Sequence, residues 1–115
     1  MNPHDAPTAE QLVEAVRQWI ESDVLPATDG RLQFHARVAI NVLAMVEREL
    51  ALGPGQAVAH HERLAALGFA SERELADAIR AGEIDPAKEA AVRAAVWETV
   101  QDKLRVAHPK YLAAD

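Results

Sequence analysis

The hydrophobic pattern is strongest between Gly30 and Gly53, where it predicts one helix with two apolar sides. Steps of four and three residues place side chains on one face of a helix. The first seam with this spacing consists of Leu32, Ala36, Ala39, Leu43, Val46 and Leu50. The second seam consists of Phe34, Val38, Asn41, Met45, Arg48 and Leu52. A helix with two such sides needs two packing neighbours, so we expect the second seam to face a partner or a ligand.

Capping and stop signals divide the rest of the chain into further helices. Thr8 with Gln11, and Ser71 with Glu74, have the spacing of a capping box, and a glycine followed by proline at position 53 is typical of a helix end. The predicted helices run from Thr8 to about Ser22, Gly30 to Gly53, about Gln56 to Leu67, Ser71 to Gly82, and Asp85 to about Val106. The residues Asp23 to Pro26 are predicted to be extended, because proline disfavours helix at the residue before it.

These elements predict an all-α fold, a small bundle of about five helices, three long and two short. No stretch alternates with the period of a strand. We expect residues 1–115 to form a single helical domain, with residues 1–7 disordered. The predicted inner face of the last helix consists of Ala90, Ala94, Trp97, Val100, Leu104 and Ala107.

Composition excludes several classes of function. The net charge of −6 argues against nucleic acid and against anionic membrane surfaces, since both attract basic proteins. The chain has no cysteine, which excludes disulfides and thiolate metal sites. Its longest apolar run, from Val38 to Val46, is interrupted by Asn41 and is about half the length that a bilayer requires. We therefore expect a cytoplasmic protein with no membrane and no nucleic-acid partner.

The polar members of the second seam are the strongest candidates for a site. Arg37, Asn41 and Arg48 fall within one narrow arc of the helix, with Phe34 one turn earlier. Guanidinium groups bind carboxylates and phosphates through two parallel hydrogen bonds, so this set could hold an anion. A buried asparagine can instead fix the register of a helix interface, and the arginines can pair with nearby acids. The pattern leaves both interpretations open and favours the interface.

The histidines give little support for catalysis or metal binding. His35 could act as a base, but no nucleophile lies near it in sequence, and a hydrogen bond to the loop before the central helix is the simpler interpretation. His60 and His61 are adjacent, so on a helix they point about 100° apart and do not converge on one ion. We predict no metal site and no cofactor, and we favour a protein that is not an enzyme.

Five segments carry a resemblance to a known family. They are DVLP at 23–26, GRLQFHARV at 30–38, EREL at 47–50, KL at 103–104 and PKYL at 109–112. With these segments the chain resembles an uncharacterised family of small helical bacterial proteins, known as a domain of unknown function. Its members look like companions of aminoglycoside-phosphotransferase-like and acyl-CoA-dehydrogenase-like proteins. The resemblance implies an accessory role beside such a protein.

Two functions follow from the sequence as hypotheses. The first is a non-enzymatic accessory or interaction protein that forms a homodimer through the central helix. The second is a small-ligand binder, for an acyl or phosphorylated metabolite, that uses the face formed by Phe34, Arg37, Asn41 and Arg48. A structure separates them by showing whether this face is a flat surface or a concave pocket.

Overall fold

The computed structural model describes residues 6–113, and within that range it contains helices and no strand. The elements are α1 (Ala9–Trp19), a π-helical turn (Ile20–Val24), α2 (Gly30–Ala66), α3 (Glu72–Ala81), a 3₁₀ turn (Pro86–Lys88), α4 (Glu89–Ala107) and α5 (Lys110–Ala113). The all-α prediction is confirmed. The described part has five α-helices, but not three long and two short: α2 and α4 are long, α1 and α3 have about three turns, and α5 has one. Most of the segment predicted to be disordered, residues 1–5, lies outside the described residues.

The capping box at Thr8 is confirmed, and that at Ser71 is confirmed in part, because the Glu74 carboxylate accepts from the amide of Ala70 and not from that of Ser71. At the start of α1 the Thr8 hydroxyl accepts from the Gln11 amide at 3.1 Å, and the Gln11 side chain accepts from the Thr8 amide at 2.8 Å. The Ser71 hydroxyl accepts from the amide of Glu74 at 3.2 Å and so caps α3. Each side chain satisfies an amide that has no partner inside its helix, and this defines where the helix begins.

The prediction that Gly53 and Pro54 end the central helix is wrong. α2 continues through both residues to Ala66 and includes the segment predicted as a separate helix. Pro54 has no N–H and cannot donate the usual helical hydrogen bond to Leu50. Gly53 lowers the cost of this proline, because a proline ring clashes with the Cβ of the residue before it and glycine has no Cβ.

The segment between α1 and α2 is not extended as predicted. It begins as a π-helical turn, in which the amide of Leu25 donates to the Ile20 carbonyl at 2.8 Å. After Pro26, the side-chain amide of Gln33 donates to the carbonyls of Leu25 at 3.2 Å and Thr28 at 2.9 Å. These bonds satisfy the loop carbonyls and hold the loop against the first turn of α2.

The chain divides into two compact units, with the boundary between Gly53 and Pro54. In the first unit, Arg17 of α1 forms a two-pronged ion pair with Glu47 of α2, and its third nitrogen donates to Glu21 at 2.9 Å. The hydrogen bond that Arg17 donates to Glu47, followed by the one that it donates to Glu21, raises the pKa of the Arg17 guanidinium above its usual value. Ala36 is the buried residue on the same side of α2 as Glu47. The ion pair therefore fastens α1 to α2.

The second unit has its own small core. Leu64 of α2, Leu75 of α3 and Val92 of α4 are buried against one another, with Leu67, Phe69 and Ile84 partly buried around them. The Gln56 side chain donates to the carbonyl of Asp102 at 3.0 Å, and one turn further along α2 the His60 ring meets Thr99. This order of contacts shows that α4 runs antiparallel to the second half of α2.

The predicted inner face of the last helix is wrong. Trp97 is 56% exposed and Ala90 and Ala94 are also exposed, whereas the buried residues of α4 are Val92 and Val106. The packed side carries polar groups such as Thr99 that bond to α2, so apolar periodicity alone selected the opposite side. In the part of the chain that the structure describes, no helix is long and apolar enough to cross a membrane.

Candidate functional site

The first half of α2 exposes a continuous apolar surface, here called the outer face. It consists of Phe34, Val38, Val42, Met45 and Val46, and each of these side chains is between 38% and 62% exposed. Their spacing places them on one side of the helix, and Val46, which also belongs to the first seam, lies at the edge of this side nearest to Ala36. Large apolar side chains that are contiguous and exposed mark interaction surfaces in soluble proteins.

The two predicted seams are both partly exposed. In the first seam Ala36 is buried and Leu43 is half-buried, but Leu32 is 68% exposed. The second seam is exposed at Phe34, Val38, Asn41, Met45 and Leu52 and half-buried at Arg48. The first seam is therefore covered in part, whereas most of the second seam is open.

Two residues of the predicted polar set line a shared concavity in the first unit. Arg37 and Asn41 lie there with Ile40 of α2 and with Glu21 and Leu25 from the segment before it, around an open space of about 490 Å³. Among residues 6–113, no acid or carbonyl pairs with the Arg37 guanidinium. Arg37 is thus available to an anion, although Glu21 places a carboxylate in the same concavity.

The other two members of the set do not line this space. Phe34 belongs to the outer face and is 62% exposed, and Arg48 is half-buried on the next turns of α2. Helical spacing correctly grouped Arg37 with Asn41, which lie one turn apart. It could not identify Glu21 and Leu25, because those residues come from a segment that the sequence predicted to be extended in part.

His35 has none of the neighbours that a catalytic base needs. Its ring is exposed, accepts from Arg31 Nε at 3.4 Å, and meets the Phe34 ring edge-on with centroids 5.7 Å apart. No carboxylate orients this ring within the described part of the chain. The predicted hydrogen bond to the preceding loop is replaced by the contact with Arg31 on the same helix.

A polar cluster in the second unit was missed by the sequence analysis. His60 Nδ1 lies 3.1 Å from the Thr99 hydroxyl, which itself donates to the Ala95 carbonyl at 3.0 Å. His60 Nε2 lies 3.7 Å from a carboxylate oxygen of Glu72. His60 therefore contacts both α3 and α4.

Arg63 extends this cluster along α2. Its terminal nitrogen donates to Asp102 at 3.0 Å, and its Nε lies 3.5 Å from Glu98. The sequence holds one indication of this cluster. His60 and Arg63 are three residues apart on one helix, and their partners Thr99 and Asp102 are three residues apart on another. A small space of about 180 Å³ adjoins the cluster. Across residues 6–113, no three acidic or histidine side chains converge as a metal ion would require.

Comparison with known proteins places the chain in a family. Residues 26–111 match the family described as Domain of unknown function (DUF6285). No curated protein and no solved structure matches the chain significantly. The resemblance drawn from the sequence is confirmed at the level of an uncharacterised domain.

Proposed function

Because the chain belongs to the DUF6285 family, whose function is unknown, we propose a function from the surface of α2. The protein is a non-enzymatic interaction protein that self-associates through this central helix. The observation that supports the proposal is the outer face, a set of five exposed apolar side chains on one side of α2. Its most exposed members are Phe34 at 62% and Val42 at 51%.

The outer face is costly to leave in contact with water. Each Å² of apolar surface removed from water contributes roughly 25 cal/mol, so covering several such side chains yields a few kcal/mol. Association with a second copy removes the outer face of both chains from water, because a two-fold interface uses the same surface on each partner. Homodimerisation is therefore the simplest way to cover the outer face.

Val42→Asp tests this function, because it places a charge at the centre of the outer face. We expect the dissociation constant of the dimer to rise at least about tenfold, since an unpaired carboxylate must be desolvated on association. Sedimentation equilibrium over a range of protein concentrations measures the change. The matched control is Val58→Asp, because Val58 lies on the same helix, is 60% exposed and is not part of the outer face. A parent chain that stays monomeric at high micromolar concentration would contradict self-association.

The accessory role is a separate proposal that rests on the family resemblance. We propose that the dimer acts in the bacterial cytoplasm beside a phosphotransferase-like or acyl-CoA-dehydrogenase-like protein. Co-purification at native expression level followed by mass spectrometry tests it. Recovery of one of these two protein classes supports the role, and recovery of the chain alone argues against it.

The second candidate function is binding of a small acyl or phosphorylated ligand. It is supported by the concavity that holds Arg37 and Asn41, where the guanidinium is free to bind an anion. If this function holds, titration of the parent chain with inorganic phosphate or butyrate shows saturable binding by calorimetry. Arg37→Ala is then expected to weaken binding about tenfold or more, because a charge-assisted fork of hydrogen bonds is lost.

The control for the ligand experiment is Arg73→Ala, which removes an exposed arginine of α3. This variant also loses one positive charge, but its concavity is intact. Its binding constant should therefore stay within about twofold of the parent value. Equal weakening by both variants would indicate a general charge effect. Absence of saturable binding of either probe to the parent chain would argue against an anion site at Arg37.

A further inference from the structure

We propose that two copies of the chain pair their α2 helices in antiparallel orientation, so that Arg31 of each copy meets Glu49 of the second copy. The proposal rests on the proposed self-association and specifies its geometry. A second copy of the chain then covers the outer face. The positions of two charges, and the symmetry of the residues between them, support this pairing.

Arg31 and Glu49 lie at opposite ends of the outer face and on the same side of α2. They are eighteen residues apart, which is five full helical turns, or about 27 Å. Both side chains are exposed. Arg31 contacts only the His35 ring, at 3.4 Å, and Glu49 has no ion-pair partner among the described residues. One chain therefore presents a cation and an anion at the two ends of one apolar surface and cannot pair them internally.

The residues between these charges map onto one another when α2 is reversed about position 40. In such a pairing each residue lies at the same height along the helix axis as the one whose number brings the sum to 80. The resulting pairs are Arg31 with Glu49, Phe34 with Val46, His35 with Met45, and Val38 with Val42. Every member of the outer face lies level with another apolar member or with His35. A two-fold interface requires this self-complementarity, in which residue i contacts j and j contacts i.

Charge selects the antiparallel pairing over the parallel one. In a parallel pair, Arg31 would lie beside Arg31 of the second copy and Glu49 beside Glu49, so both ends would repel. In the antiparallel pair the same four side chains form two attractive contacts. Exposed ion pairs of this kind add modest affinity, but they set the orientation of helices that an apolar seam would accept either way.

A charge-reversal series tests the pairing. We expect Arg31→Glu and Glu49→Arg each to weaken the dimer about tenfold, because each replaces two attractions with two repulsions. The double variant Arg31→Glu with Glu49→Arg should return the dissociation constant to within about threefold of the parent, because the charges are exchanged between the ends. Rescue inside one chain is excluded by the separation of about 27 Å. Arg93→Glu, a reversal at an exposed arginine of α4, serves as the control.

Disulfide trapping reads the orientation directly, since the parent chain has no cysteine. His35→Cys and Met45→Cys variants are mixed, with an affinity tag on one of them, and oxidised. Antiparallel pairing predicts the mixed 35–45 disulfide, because two copies of position 35 would be about 15 Å apart along the helix axis. Parallel pairing predicts each variant cross-linked to itself.

The outcomes separate this proposal from self-association itself. A dimer whose affinity is unaffected by the charge reversals, or that traps 35 with 35, overturns the antiparallel pairing and leaves self-association standing. A parent chain that is monomeric overturns both. Rescue in the double variant together with the mixed disulfide supports the pairing.

Discussion

Replacing Leu64 with alanine is expected to lower the free energy of unfolding by about 3 kcal/mol. Leu64 is only 4% exposed and packs with Leu75 and Val92 in the core of the second unit. The change deletes buried methyl groups together with their packing contacts. It leaves a cavity that the few surrounding residues cannot fill. Urea unfolding followed by far-ultraviolet circular dichroism measures the loss at one fixed protein concentration, because the proposed dimerisation would make stability depend on concentration.

The control for this change is Val58→Ala, on the same helix at an exposed position. Its expected loss is within about 0.5 kcal/mol, as for most surface substitutions. A similar small loss for Leu64→Ala would contradict the assignment of Leu64 to a packed core.

The fold was predictable from sequence where local chemistry decides it. Thr8 and Ser71 begin helices because their hydroxyls satisfy nearby amides, and Gly82 ends α3 because its φ of 68° lies where glycine is favoured. The continuation of α2 through Pro54 was not predictable on these grounds. A proline removes one helical bond, and packing on both sides of it can outweigh that loss.

The side of each helix that is covered was less predictable than the helix itself. Periodicity identified two apolar seams on α2, but whether Leu32 or Ala36 is buried depends on where α1 lies, which the pattern does not contain. In α4 the packed side includes Thr99, because its hydroxyl bonds His60 across the unit. A packed side that includes polar residues is therefore missed when only apolar residues are assigned to the inner face of a helix.

In the candidate site, too, the part that depends on local helix geometry was predictable, and the part that depends on the path of the chain was not. The one-turn spacing of Arg37 and Asn41 placed them together correctly, because it depends only on helix geometry. The carboxylate of Glu21 in the same concavity depends on the path of the chain between α1 and α2. Likewise, Glu47 lies beside Arg48 in the sequence, but it pairs with Arg17 of α1.

Glu47→Ala is expected to lower the free energy of unfolding by about 2 kcal/mol, because it leaves the half-buried Arg17 guanidinium without its two-pronged partner. The Arg17 and Glu47 side chains are 22% and 15% exposed, so solvent screens this pair less than the pair of Arg17 with Glu21, whose side chain is 42% exposed. Thermal and urea unfolding at one protein concentration measure the loss.

The control for this last change is Glu62→Ala, which removes an exposed glutamate from the same helix and should cost no more than about 0.5 kcal/mol. A double variant, Arg17→Ala with Glu47→Ala, separates the ion pair from the packing of each side chain. If the pair fastens α1 to α2, the double variant loses less than the sum of the two single losses, because the second change removes a charge that the first left unpaired. Additive losses would instead mean that the two side chains stabilise the unit independently, and that apolar contacts alone hold α1 in place.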